Sequence, residues 1–245
     1  MKNNDLAYID ENLHIIKERC AEAMAKYRSP DDRLRIMAVT KTVAPEAINH
    51  AVELGIDLLG ENRVQEYLSK ADFYDKSAEV QFIGHLQTNK VKYIINTVSM
   101  IQSVDSLKLG QEISRLAVKN GRVMDILCEV NIGGEESKSG IAPAGLKELI
   151  DGLSELGGVR VRGLMTIPPP SDSDIFLGRM KELYAKLSAE YSGMDTLSMG
   201  MTHDYAEAVK YGSTLVRIGT GLFGARDYSK LLPAESRKST RDTPH

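Results

Sequence analysis

RIMAVTK, residues 35–41, is a short apolar run that ends in a lysine, and its reading sets the frame for the rest of the chain. It has the length and composition of a β-strand. Working outward, seven further runs of the same kind follow: DLLG (57–60), VQFIG (80–84), MIQSV (100–104) and VMDILCEVNI (123–132), then VRVRGLMTI (159–167), DTLSM (195–199) and TLVRIG (214–219). Helical stretches such as 106–120, 144–156 and 174–190 lie between them, and this alternation is the pattern of a parallel sheet with helical crossovers. Eight β runs predict a single α/β domain, a closed (β/α)₈ TIM barrel; an open doubly wound sheet rarely needs so many. Ahead of the first run, Leu6, Ile9, Leu13, Ile16 and Cys20 follow one another in steps of three and four, which puts one apolar stripe on a helix that must pack on something. No composition shift, linker or repeat breaks the chain before residue 229. The barrel is therefore expected over 1–229, and the polar stretch 230–245, which contains AESRKSTRDTPH, is expected to be a frayed tail.

The composition narrows the function classes. The chain has 245 residues, 42% of them hydrophobic, and its formal charge of −3 comes from 31 basic and 34 acidic residues that are interspersed. Such a balance gives no general attraction to nucleic acid or to an anionic membrane. No stretch approaches the roughly 18 consecutive apolar residues of a membrane span, and MKNNDLAYIDENLH is too acidic for a signal peptide. The expected setting is cytoplasmic. Cys128 in DILCEV and Cys20 on the first helix fit a reducing compartment, and neither has the surroundings of a ligand or nucleophile. The five histidines show no metal-binding spacing, so no metal is expected.

In a barrel of this kind function collects where strands end. Lys41 follows an apolar strand directly. Desolvation there favours the neutral amine that a Schiff-base lysine needs, although taken alone the residue also reads as the opening of a solvated loop. Strand 7 ends in LSMGM and strand 8 in RIGTGLFG, at the two loops that recurrently bind phosphate in this architecture. There Gly200, Gly219 and Gly221 permit close approach of backbone N–H groups, and Ser198 and Thr220 offer hydroxyls. Arg217 is a charge inside strand 8, where it needs a partner. It faces either a planar acceptor such as a pyridine nitrogen or a barrel carboxylate, Glu61 or Glu129. Asn62, His85, Asn131 and Lys138 come to the same rim, Asn62 as a candidate to orient a ring hydroxyl and the others as cap or turn residues with further contacts open.

Taken together, AVTKT, GENRVQE, FIGHLQTNK, SKSG, GLMTIP, LSMGM and RIGTGLFGARDY, in that order over residues 33–229, resemble the YggS/PROSC family of pyridoxal phosphate homeostasis proteins. The resemblance implies the barrel of the alanine racemase N-terminal domain. It also implies pyridoxal 5'-phosphate (PLP) held as an aldimine on Lys41, with Arg217 facing the pyridine nitrogen and Ser198, Gly219 and Thr220 binding phosphate. A carrier or buffer role follows, with apo PLP-dependent enzymes as partners and a monomer as the working form. In MTHDYAEAV, where the resemblance leads one to expect a small hydroxyl residue and an acid after the Met, His203 stands before Asp204. Alanine racemases carry a second, β-rich domain with a catalytic tyrosine, for which 245 residues leave no room. No turnover is therefore expected, and the alternatives are a weak amino-acid racemase or a class I aldolase with a cofactor-free lysine.

Overall fold

Alternation along the strands divides the side chains of the sheet between two cores. The computed structural model describes residues 6–224; the expected tail 230–245 lies outside the described residues. The strands are β1 (Arg35–Val39), β2 (Leu58–Glu61), β3 (Glu79–Phe82), β4 (Met100–Val104), β5 (Met124–Val130), β6 (Val159–Thr166), β7 (Thr196–Ser198) and β8 (Leu215–Ile218). They form a closed barrel in chain order. Closure is made by β8 lying parallel to β1, with Arg35 beside Leu215 and Met37 beside Arg217. The helices are α1 (Ala7–Tyr27), α2 (Pro45–Glu53), α3 (Val64–Lys70), α4 (Val91–Ile94), α5 (Leu107–Lys119), α6 (Leu146–Ser154), α7 (Ser173–Glu190), α8 (Tyr205–Lys210) and α9 (Thr220–Phe223). The expected (β/α)₈ barrel is the observed fold.

One set of alternate residues faces inward. Met37, Val39, Leu58, Ile83 and Leu215 make one cluster inside the barrel, and Met100, Leu127 and Met165 make another. The other set, including Ala38, Leu59, Phe82, Ile101, Ile126, Leu164, Leu197 and Val216, packs outward beneath the helices. Each large side chain fully buried there contributes about 1.5–3 kcal/mol. The first helix has its expected stripe from Ile9 onward: Ile9, Leu13, Ile16 and Cys20 are buried, joined by Ala23 one turn on, while Leu6 caps the helix and is half-buried. α1 packs on α8, α9 and α2, and Asn12 Nδ2 donates to the Leu222 carbonyl at 3.0 Å. Both cysteines are buried and unpaired. Burial pushes the Cys20 thiol up to about 11 and the Cys128 thiol up to about 12, so neither supplies a thiolate at neutral pH.

Most of the observed strands stop one or two residues short of the apolar runs, and what is left over builds the mouth. DTLSM shortens to Thr196–Ser198 because Gly200 takes φ +94° and turns the chain. A Cβ at Gly200 would lie 2.5 Å from the Ala208 Cβ. The turn lets the Gly200 carbonyl accept the Arg217 N–H at 2.9 Å, tying the end of β7 to β8.

Candidate functional site at the barrel mouth

The period of two that places Met37, Leu58, Leu127 and Leu215 inside the barrel also selects what projects at its mouth. Continued toward the strand ends, the inward positions include Lys41, Asn62, Glu129, Ser198, Arg217 and Gly219. Lys41 is half-buried directly after Thr40, which is wholly buried.

Arg217 is buried, and its guanidinium is fixed at two points. Nη1 donates to the Ser198 hydroxyl and Nη2 to the Thr166 carbonyl, both at 2.7 Å. The Ser198 hydroxyl donates in turn to Gln102 Oε1 at 2.7 Å, and Gln102 Nε2 donates to Gln81 Oε1 at 2.6 Å. This polar chain crosses the barrel interior and holds the guanidinium from below. Burial pushes Arg217 down to about 10, while Glu129 and Asp204 act the other way, so the group is still a cation at neutral pH. Of the two carboxylates weighed as its partner, Glu61 lies on the outer face, where its Oε1 accepts from Thr40 and Tyr74. Glu129 shares the inner face and acts on Arg217 through space. Burial above all, with Asp105 adding to it and Arg217 opposing, pushes the Glu129 carboxyl up to about 7.

Ser198 corrects the sequence reading. It is wholly buried, with its hydroxyl engaged by Arg217 and Gln102. It therefore braces the arginine from beneath and is not placed to bind phosphate. The hydroxyl that stands at the mouth instead is Thr202, which the sequence reading passed over. Thr202 Oγ1 accepts the Gly221 N–H at 3.1 Å and lies 3.4 Å from Thr220 Oγ1, which donates to it. A Cβ on Gly221 would come within 2.9 Å of Thr202 Cγ2, so glycine is what admits the threonine here. The signal was present where it was sought: the hydroxyl residue follows Met201 directly, and His203 separates it from the acid, Asp204, whose Oδ1 accepts the Met201 N–H at 2.7 Å. His203 is exposed and lines a groove with Arg19, Lys26 and Tyr205.

Asn62 keeps its expected place at the end of β2, and its Oδ1 is buried without a hydrogen-bond partner. The other rim candidates serve the loops. The Asn131 side chain bonds the Glu135 carbonyl and accepts the Glu135 N–H, ordering the loop in which Lys138 stands exposed. His85 is exposed beside Ser139 and Asp105. Among the described residues no cluster of His, Cys, Asp or Glu could hold a metal ion. None of their helices is long and apolar enough to cross a membrane.

The donor set suits a small, flat, phosphorylated aldehyde. It offers an amine at the end of β1, a buried cation on the inner face of β8 and hydroxyl and amide donors beyond it. The inner face also carries two unpartnered buried acceptors, Asn62 Oδ1 and Glu129 Oε2. Residues 5–227 match the model of the alanine racemase N-terminal domain, and the chain belongs to that family. Within it, the chain belongs with the pyridoxal phosphate homeostasis proteins. It is 44% identical over 224 residues to the protein of that name from Aquifex aeolicus, covering 89% of this chain and 98% of the relative. The Escherichia coli K12 protein of the same name is 35% identical over 235 residues, 93% of this chain and 99% of that one. Among solved structures, PipY of Synechococcus elongatus with PLP bound superposes with a TM-score of 0.73 at 31% identity, over 85% of this chain and all of PipY.

Proposed function

We propose that this protein binds PLP in the barrel mouth, covalently through Lys41, and holds it in store for release. The observation that carries this reading is the shared inner face of β1 and β8. Lys41, Arg217 and the Thr202–Thr220–Gly221 donors lie on or just beyond neighbouring strands, with Arg217 braced by Ser198. When bound, PLP supplies an aldehyde that an amine can capture and a pyridine ring that can withdraw electrons.

Each group of this chain then has a task. Thr202, Thr220 and the amides at Gly219–Gly221 take the phosphate oxygens. Arg217, a cation held in place before any ligand arrives, donates to the ring nitrogen and so keeps that nitrogen unprotonated. A ring in that state is a weak electron sink, which suits storage better than turnover. Asn62 Oδ1 accepts from the ring hydroxyl, ending its isolation. Gly200 and Ser198 act through Arg217. The same proposal makes apo PLP-dependent enzymes the recipients, with a monomer as the working form and the cytoplasm, where buried unpaired thiols persist, as the setting.

Absorption tests it. The purified protein mixed with PLP should develop a visible band that free PLP lacks, and Lys41→Ala should remain folded without that band. A band of equal strength in Lys41→Ala would overturn the assignment.

A further inference from the structure

The backbone on both sides of Lys41 is held by two side chains of one helix. Lys70 Nζ donates to the Thr40 carbonyl at 2.9 Å, which belongs to the peptide unit before Lys41. Glu66 Oε1 accepts the Thr42 N–H, which belongs to the peptide unit after it. The two side chains are one turn apart on α3 and pair with each other at 2.8 Å. Both are largely buried, with 15% and 12% of the Glu66 and Lys70 side chains exposed. Beneath them Glu61, wholly buried on the outer face of β2, accepts the Thr40 hydroxyl at 2.6 Å and lies 3.7 Å from Lys70 Nζ. Thr42 itself takes φ +64°, a left-handed conformation that a β-branched residue adopts only when its surroundings impose it.

We infer that the Glu66–Lys70 pair positions Lys41, clamping the two peptide units that bracket its Cα so that the amine meets the aldehyde of bound PLP. The inference rests on the proposed PLP site. A surface ion pair between α3 residues would need neither contact with the β1 loop nor burial, and a purely structural clamp would not require the loop to be held in a strained conformation beside the Lys41 amine. Glu66 and Lys70 do not touch the ligand. They act through Thr40 and Thr42.

The test is Glu66→Met, which removes the acceptor for Thr42 while leaving Lys70 beside Glu61. Three quantities are compared with the wild type: amide hydrogen exchange at Thr42 without ligand, the rate at which the visible band grows with PLP, and affinity for pyridoxine 5'-phosphate, an alcohol without the aldehyde. Thr42 exchange should speed up and band growth should slow by about tenfold, the scale on which misplacing a reacting group acts. Pyridoxine 5'-phosphate affinity should be unchanged, which also shows that the variant is folded. Adding Thr42→Gly should recover part of the rate, because glycine adopts the left-handed conformation without help. Unchanged band growth, or an equal loss for both ligands, would overturn the inference. Failure of the wild type to develop the band would instead defeat the PLP site itself.

Discussion

Replacing Glu129 by Gln should alter how stability depends on pH. The wild-type carboxyl is buried, 7% exposed, and burial raises it from 4.5 to about 7 in the folded chain. In the unfolded chain it returns to its ordinary value. Below pH 4.5 both states hold the proton and the group contributes nothing. Between 4.5 and 7 the folded state retains a proton that the unfolded state has lost, so stability falls as pH rises. Above 7 the cost is complete. At about 1.36 kcal/mol for each pH unit, the interval amounts to roughly 3 kcal/mol. Glutamine carries no charge and escapes this cost, so the stability of Glu129→Gln relative to wild type should grow by roughly 3 kcal/mol from pH 4.5 to pH 8. Any offset already present at pH 4.5 reflects the change of hydrogen-bonding group, about 1 kcal/mol. The assay is urea unfolding of both ligand-free proteins, followed by circular dichroism at several pH values. A difference between the two that stays constant across the range would refute the reasoning.

Three further outcomes follow from the mouth. Thr202→Val combined with Thr220→Val should weaken PLP binding by at least tenfold, since hydrogen bonds to a charged acceptor contribute about 1.5–3 kcal/mol each. Pyridoxal, which lacks the phosphate, should bind both proteins alike in the same titration. Ser198→Ala should instead destabilise the fold by about 1–3 kcal/mol in urea unfolding, because Arg217 and Gln102 lose their shared partner inside the barrel. It should weaken PLP and pyridoxal equally. Exchange of the α-proton of alanine in deuterated water, with Lys41→Ala as blank, should stay far below the ordinary enzyme range of about 1 to 10³ per second; lysine-dependent exchange within that range would make the protein a racemase.

The strands were legible because parallel strands covered on both faces read as continuous apolar runs, and all eight runs became strands of the barrel. Their ends were less so: Lys41 continues the β1 run in sequence, while its loop is held by Glu66 and Lys70 of α3. Lys41 and Arg217 stood out because a charge at or inside an apolar strand is conspicuous. Ser198 was misplaced because residue type does not reveal which partner claims a hydroxyl, and its acceptor Gln102 lies 96 residues away. Thr202 stands directly after the Met in MTHD and was passed over because His203 separates it from Asp204. The Glu66–Lys70 clamp was invisible for a related reason: in sequence it is an ordinary i,i+4 pair, and its contact with Thr40 spans 30 residues.

The most direct test of the account is borohydride reduction of the PLP-loaded protein, followed by proteolysis and mass mapping. The PLP site as drawn predicts a phosphopyridoxyl group recovered on the peptide that contains Lys41. Recovery mainly on Lys138, or an even spread over exposed lysines, would contradict it.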